Sequence, residues 1–231
     1  LAGSAGPASP LTLSALGQIG GPSYIVKVAD HYAYLGSGFR LQILDIANQA
    51  APVLVGQTPV LPDIVRNLQV VGSLVFIALG DGGLYIYDAS NPRDPQLVGS
   101  FDTAGFALGV SVVGSLAYVA DVWSGLQIID VSNPTNPIRR GACDTTSRDA
   151  QSVSVAGNLA YVADGWSGLQ IIDVSNPANP TLRGAYDTPG YAHSISVVGN
   201  LAYVADGESG LQIIDVGNPG NPALRGWYDT R

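Results

Sequence analysis

The chain has 231 residues, a formal net charge of −8 and a single lysine, Lys27. A strongly acidic chain lacks the basic surface that displaces counterions from nucleic acid, which excludes nucleic acid as a partner. Apolar residues make up 46% of the chain. No apolar run approaches the ~20 residues of a membrane helix, so we expect no membrane insertion.

The chain opens on LAGSAGPASP, a small-residue stretch that lacks the basic start and apolar centre of a signal peptide. We interpret residues 1–10 as a linker or the processed N-terminus of an exported protein. Residues 11–20, LTLSALGQIG, are a predicted extra strand, because Gly17 aligns with the fourth strand of the units that follow.

A repeated segment occupies the chain from residue 21 onward. Its clearest copies read LAYVADVWSGLQIIDVSNPTNP, LAYVADGWSGLQIIDVSNPANP and LAYVADGESGLQIIDVGNPGNP. The matching aspartates lie 42 or 43 residues apart, at Asp45, Asp88, Asp130, Asp173 and Asp215. Such a period is typical of an array of supersecondary units, none of which can bury its apolar surface alone. The predicted units are 21–61, 62–105, 106–147, 148–189 and 190–231.

Each unit carries four strand signals. In the fourth copy these are QSVSVAG, NLAYVAD, GLQIIDV and TLRGAYD. AGN between the first two predicts a tight hairpin turn, and the prolines and asparagines of SNPANP end the third strand. Asp130, Asp173 and Asp215 precede this last turn, and we expect each to cap it through a hydrogen bond to the backbone.

The second and third strands are apolar on both faces, as in AYVA and LQIIDV. Strands of this kind are covered on both sides. We therefore predict an all-β fold, a β-propeller of four-stranded antiparallel blades with five blades in this chain. The alternative is that the chain is part of a larger six- to eight-bladed ring. The fourth strands carry Arg140, Arg183 and Arg225, which fits an outer edge strand.

The segments YVAD, GLQIIDVSNP, NPTLRG and NPALRG resemble the LVIVD-repeat family of bacteria and archaea. The resemblance is close over the second to fifth units and loose over the first. It implies a propeller fold and an extracellular or cell-surface location. It supplies no catalytic residues, because most members of the family have no known activity.

In a propeller, the turns between second and third strands share one face with the connections that lead into each first strand. We call this the top face. The predicted ligand-binding residues lie there, at leading positions of first strands that vary between copies and at turn tips: Trp123, Trp166, Phe39, Glu208, Tyr24, Arg66, Gln151 and His193. Exposed aromatic residues are typical of carbohydrate or protein contact surfaces. Two structural alternatives are drift of solvated positions and packing of the tryptophans onto a neighbouring blade.

Three aspartates at the ends of second strands, Asp121, Asp164 and Asp206, invite a calcium interpretation. Calcium takes six to eight oxygen ligands, and each of these loops has one carboxylate. We favour an Asp-Gly turn in which the side chain bonds its own backbone. His31 and His193 lack metal-ligand spacing. We therefore predict no catalytic residues, no metal site and no cofactor.

Cys143 is the only cysteine of the chain. It aligns with aromatic residues of the other copies, namely Phe101, Tyr186 and Tyr228. We expect it to be a buried, unpaired, small apolar substitute between blades.

The sequence favours a non-catalytic extracellular or cell-surface module, an interaction scaffold that binds a protein or glycan. One alternative is a structural subunit of a surface filament or sheath that self-assembles through edge strands. The other is a hydrolase or lyase with a site at the mouth of the propeller channel, which the fold alone does not decide.

Overall fold

The computed structural model describes residues 23–230, which form twenty strands in five four-stranded antiparallel sheets. A short 3₁₀ turn, Gly207–Ser209, is the one helical element among these residues. The predicted linker at residues 1–10 and the predicted extra strand at residues 11–20 lie outside the described part. The prediction of five four-stranded antiparallel sheets is confirmed, and one sheet lies within each predicted unit.

The strands of each sheet follow one another directly along the chain. The bounds are, for blade 1, β1 Ile25–Ala29, β2 Tyr32–Ser37, β3 Arg40–Asp45 and β4 Val53–Gln57; for blade 2, β5 Asn67–Val71, β6 Leu74–Ala78, β7 Leu84–Asp88 and β8 Gln96–Phe101; for blade 3, β9 Ala107–Val113, β10 Leu116–Asp121, β11 Gly125–Asp130 and β12 Ile138–Cys143; for blade 4, β13 Ser152–Ala156, β14 Leu159–Ala163, β15 Leu169–Asp173 and β16 Thr181–Tyr186; for blade 5, β17 Ser194–Val198, β18 Leu201–Ala205, β19 Leu211–Asp215 and β20 Ala223–Tyr228.

The first and fourth strands are the two edges of every sheet. The first strands of consecutive blades contact one another, β1 with β5, β5 with β9, β9 with β13 and β13 with β17. They form the inner side of the array, and the fourth strands form the outer side, as predicted. Closure of the five sheets into a ring stays a prediction.

Tight turns join the first and second strands. A glycine in the left-handed region opens four of these turns, with φ of 58° at Gly72, 60° at Gly114, 59° at Gly157 and 58° at Gly199. In blade 1 Asp30 takes the same role at φ 53°. Turns with positive φ match the twist of antiparallel strands, which explains the recurring glycine.

The turn after each third strand is capped by the aspartate that ends the strand. The carboxylate oxygen of Asp130 accepts a hydrogen bond from the amide of Ser132 at 2.9 Å, and Asp173 accepts one from Ser175 at 3.0 Å. Asp215 caps its turn in the same way. The predicted capping is confirmed. Hydrogen bonds from Ser132, both side chain and amide, hold the pKa of Asp130 below its usual value.

Every pair of third and fourth strands shifts register by one residue at the same point. In blade 3 Ile128 pairs with Gly141 and Ile129 pairs with Arg139, so Arg140 is the extra residue of a bulge. Arg183 and Arg225 hold the same place in blades 4 and 5. All three are exposed. Charge and a bulge together make an outer edge unsuitable for pairing with another strand.

The core lies between sheets. Four hydrophobic clusters of described residues join blade 1 to 2, 2 to 3, 3 to 4 and 4 to 5. Blade 3 shows why the strands are apolar on both faces, because Ile128 packs with Val153 of blade 4 while Val119 packs with Ile86 of blade 2. Each fully buried Leu or Ile side chain contributes roughly 1.5–3 kcal/mol, so these contacts dominate the stability of the fold.

Cys143 packs at the edge of the cluster between blades 3 and 4. Its thiol is free, but the residue is partly exposed rather than fully buried, because it lies at the end of an outer strand. Burial and the neighbouring Asp144 charge raise the pKa of the thiol. The predicted packing role therefore holds, with less burial than expected.

A glycine in each fourth strand allows the next blade to approach. A Cβ atom at Gly56, Gly99, Gly141 or Gly184 would overlap the carbonyl oxygen of Pro92, Pro134, Pro177 or Pro219, which belongs to the turn of the following blade. No larger residue fits without moving two backbones apart. The NP turn and the fourth-strand glycine are thus the two halves of one contact.

We predict that Gly184→Ala destabilises the fold, because its methyl group would overlap the Pro219 carbonyl oxygen, a backbone atom that cannot rotate away. Overpacking of this kind costs about 2 kcal/mol in the free energy of unfolding, measured by urea denaturation. The matched control is Gly220→Ala, where the nearest atom lies at 3.8 Å. Equal stability of the two variants would contradict close packing at this contact.

Candidate functional site

The top face is built from loops that buried carboxylates hold in place. Asp121, Asp164 and Asp206 end the second strand of blades 3, 4 and 5, or follow it directly, and all three are fully buried. Asp164 accepts hydrogen bonds from the Thr145 hydroxyl at 2.6 Å, the Ser147 amide at 2.9 Å and the Asp149 amide at 3.1 Å. These donors belong to the connection that leads into blade 4.

The same anchoring recurs in the neighbouring blades. Asp206 accepts from the Thr188 hydroxyl at 2.5 Å and from the Gly190 amide at 2.8 Å. Asp121 accepts from the Phe106 amide at 2.8 Å, and burial raises the pKa of its carboxyl. The prediction that these aspartates bond their own turns holds for Asp121, whose carboxyl also accepts hydrogen bonds from the amides of Trp123 and Ser124. The partners of Asp164 and Asp206 lie instead in the connections that lead into the first strands.

Blade 2 lacks this aspartate and uses another. Leu79 occupies the position and is fully buried. Asp63, in the connection itself, accepts hydrogen bonds from the Ile64 amide at 2.6 Å and the Asp81 amide at 2.9 Å. In blade 2, the carboxylate that joins the connection to the turn therefore comes from the connection. In blades 3 to 5 it comes from the end of the second strand.

Trp166 belongs to an aromatic group of blades 4 and 5. Its indole is 70% exposed and meets the Tyr191 ring edge-on, with centroids 5.4 Å apart. Tyr191 in turn lies 4.6 Å from the His193 ring. Burial and a hydrogen bond to Asp149 raise the pKa of Tyr191, so its hydroxyl stays protonated. We call Trp166, Tyr191 and His193 the first aromatic group.

Gln151 lies behind this group. Its side-chain amide donates to the Asp149 carboxylate at 2.6 Å, the same carboxylate that fixes Tyr191. Gln151 is only partly exposed. It acts as a support for Tyr191 more than as a surface residue.

A second aromatic group spans blades 1 to 3. The Arg66 guanidinium lies 5.1 Å from the Phe106 ring centroid and 6.0 Å from that of Tyr24. Trp123, 61% exposed, packs tilted against Phe106 with centroids 6.0 Å apart. Cation–π contact holds the guanidinium between two rings. The second aromatic group is therefore Tyr24, Arg66, Phe106 and Trp123.

A cleft of about 250 Å³ opens beside the first aromatic group. Trp166, Tyr191, His193, Glu208 and Ser209 are among its lining residues. The cleft is smaller than the roughly 300–1,000 Å³ of pockets that enclose drug-sized ligands. It can take one sugar ring or one protein side chain.

The structure thus brings the predicted residues into two groups. Trp166, His193 and Glu208 surround the cleft, while Tyr24, Arg66 and Trp123 meet through Phe106. Phe39 is exposed in the turn of blade 1 and belongs to neither group. Their role in binding stays a prediction.

Phe106 and Tyr191 are the residues that sequence reasoning missed. Both precede a leading position by two residues, in connections that differ in sequence between copies. An aromatic residue at the same offset from two leading positions was the available signal.

Within 23–230, no three His, Cys, Asp or Glu side chains meet in an arrangement that could hold a metal ion. No helix in that range has the length and apolar character needed to cross a membrane.

A larger groove of about 690 Å³ runs over the outer side of blades 1 and 2, away from the aromatic groups, and is lined by Arg40 and the Thr58–Pro62 connection among others.

Comparison with known families and structures agrees with this architecture. A family model described as LVIVD repeat matches five segments, 20–59, 64–103, 104–145, 147–188 and 189–230. A comparison with curated protein sequences gave no match.

Solved structures share the fold at low sequence identity. The β-propeller domain of Cps50 (Swd1) from Myceliophteria thermophila superposes with a TM-score of 0.77 at 11% identity, over 92% of this chain and 73% of that chain. The computationally designed Ika8 protein gives 0.71 at 9% identity, over 90% of this chain and 63% of its own, so this chain spans less than two thirds of its length. The designed Ika4 protein gives 0.58 at 9% identity, over 68% of this chain and 94% of its own.

We predict that Asp164→Ala loosens the top face and lowers the free energy of unfolding by about 3 kcal/mol, because it leaves three donors without their acceptor. Thermal and urea unfolding measure the change. The control is Asp187→Ala, which removes an exposed carboxyl after the fourth strand of the same blade and should cost less than about 0.5 kcal/mol. Similar losses in both variants would argue against anchoring by Asp164.

Proposed function

This chain belongs to the LVIVD-repeat family, and from that premise and the top-face geometry we propose that it is a non-catalytic interaction module of the cell surface or extracellular space. Its partner contacts the top face. The observation that carries the proposal is that Trp123 and Trp166 are both more than half exposed while each rests on an anchored ring.

Anchoring matters because binding must offset the entropy of ordering side chains. The backbone N–H of Phe106 donates a hydrogen bond to the buried Asp121 carboxylate, and the Tyr191 hydroxyl donates one to Asp149. The tryptophans therefore present large apolar faces that are already ordered, and little freedom is lost on contact. Exposed apolar residues of this kind are typical of interaction hot spots.

The first aromatic group favours a glycan as the partner. The cleft takes about one sugar ring, and Trp166 offers an apolar surface beside the polar groups of Glu208, His193 and Ser209. A carboxylate accepts hydrogen bonds from hydroxyl groups, and an indole stacks against the apolar face of a sugar. A protein side chain would use the same cleft through the indole alone.

The buried carboxylates of the top-face loops support a binding role over catalysis. Asp164 and Asp206 are buried and already accept hydrogen bonds from the loops. Their oxygens are committed to structure, whereas a general acid or base must reach its substrate. The net charge of −8 also disfavours an anionic partner, because like charges repel.

The test is binding to an array of immobilised oligosaccharides, followed by titration of any positive glycan. The double variant Trp123→Ala/Trp166→Ala should bind at least tenfold more weakly, since an anchor tryptophan contributes about 2 kcal/mol or more. The control is Arg183→Ala/Arg225→Ala, two exposed arginines of outer strands, which should bind normally.

Two results would overturn parts of the proposal. Loss of binding in the arginine variant with normal binding in the tryptophan variant would move the interface to the outer edge. Binding to a protein and to no glycan, lost in the tryptophan variant, would retain the top face and replace the glycan by a protein.

A further inference from the structure

The cleft beside the first aromatic group lies between blades 4 and 5, and three pieces of chain contribute to it. Trp166 comes from the second-to-third turn of blade 4. Glu208 and Ser209 come from the same turn of blade 5, and Tyr191 comes from the connection between the two blades. The geometry of the cleft is therefore set by two neighbouring blades.

The charge at the cleft is negative and is not balanced by a neighbouring cation. Glu208 supplies an exposed carboxylate, and no lysine or arginine is among the described lining residues. The ion pair found within residues 23–230 joins Arg148 to Asp144, so no described cation neutralises Glu208. A carboxylate in this situation attracts a positively charged group.

Further carboxylates add to the negative potential. Asp206 is fully buried directly before the turn that carries Glu208. Burial, the hydrogen bond to Asp149 and the charges of Asp149 and Asp164 all raise the pKa of the Tyr191 hydroxyl. The charges of Asp149 and Asp164 therefore act on a ring that lines the cleft. A cation that enters the cleft is stabilised by these charges as well as by Glu208.

Two aromatic rings meet at a right angle in the cleft. The planes of Trp166 and Tyr191 enclose an angle of 86°, with ring centroids 5.4 Å apart. The His193 ring is tilted by 49° against Tyr191. The face of an aromatic ring carries partial negative charge and attracts a cation within about 6 Å of its centroid, most strongly in tryptophan. Perpendicular rings form a corner, where one cationic group can approach both.

The unused polar groups of the cleft favour a sugar over a lysine side chain as the carrier of the positive charge. Ser209 uses its amide in a bond to the Asp206 carbonyl and its own carbonyl in a bond from Gln212, whereas its hydroxyl bonds no described residue. The side chains of Glu208 and His193 likewise have no hydrogen-bond partner within residues 23–230. A sugar brings several hydroxyl groups to such a site, whereas a lysine ends in a single ammonium group.

We propose that this cleft binds a sugar ring that carries a positively charged nitrogen, as an ammonium or a quaternary ammonium group. The inference rests on the proposed glycan function and adds the chemical class of the sugar. Glu208 and the faces of Trp166 and Tyr191 surround the charged nitrogen, and Ser209 and His193 contact the hydroxyl groups.

Blades 1 and 2 provide an internal comparison. Their turns carry Phe39 followed by Asp81, the same order of an aromatic residue and a carboxylate as Trp166 and Glu208. At the place of Tyr191, however, the connection into blade 2 carries Ile64. Asp81 is therefore a matched carboxylate of the top face without the corner of two rings.

The test compares two tetrasaccharides that differ in the charge on nitrogen. The tetramer of N,N,N-trimethylglucosamine is positively charged, and the tetramer of N-acetylglucosamine is neutral. Isothermal titration calorimetry at neutral pH measures the affinity of the full chain for each. The charged tetramer should bind at least about tenfold more tightly, because it alone forms the ion pair and the cation–π contacts.

Three variants locate the effect. Glu208→Gln keeps the shape of the side chain and removes its charge, so it should weaken binding of the charged tetramer about fivefold and leave the neutral one unchanged. Trp166→Ala should weaken binding of the charged tetramer at least about tenfold. The control, Asp81→Asn, removes the matched carboxylate of blade 2 and should bind like the wild type. Circular dichroism and thermal unfolding verify the fold of each variant.

Equal affinity for the two tetramers would overturn the proposal and leave the glycan function standing. Equal losses in Glu208→Gln and Asp81→Asn would also overturn it, because the net charge of the protein would then attract the ligand. Binding of a trilysine peptide that needs Trp166, with neither tetramer bound, would replace the sugar by a protein. Absence of binding to every oligosaccharide would remove both this inference and the glycan function.

Discussion

Packing of one apolar sheet face against the next is the interaction on which this molecule depends. A four-stranded sheet whose second and third strands are apolar on both sides cannot cover itself, and two such faces must find neighbours. The four inter-blade clusters supply these neighbours wherever two consecutive blades meet. The repeat period, the fourth-strand glycine and the NP turn all serve this contact. Stability is therefore distributed along the array by nearest-neighbour terms.

The top face follows from the same arrangement. Stacked blades bring each second-to-third turn beside a connection from the previous blade, and a buried carboxylate such as Asp164 fastens the two together. Rigid connections then hold Phe106 and Tyr191, and these rings support the exposed tryptophans. A surface that varies between copies is carried on a scaffold that does not, which is the usual division between loops and the elements that position them.

Most of the fold could be predicted from the sequence because each copy repeats the same local signals. The hairpin glycines, the capping aspartates and the apolar strands each act within a few residues, so their patterns are visible in one dimension. The candidate site was harder to predict. Tyr191 and Asp149 lie in two different connections, so their contact is not visible within one copy of the repeat. The bulge at the arginines was not predicted, because the register of a sheet depends on how two strands pair.

Native-state hydrogen exchange tests most directly whether inter-blade packing supplies the stability of the array, because local opening reports the free energy of each region separately. At dilute concentration, amides of the central strands of blade 3, which is covered on both faces, should exchange slowest. Those of β2 and β18, whose sheets each join only one inter-blade cluster among the described residues, should exchange at least tenfold faster. Equal protection in all five blades would contradict the account, because sheets would then be stable without their neighbours.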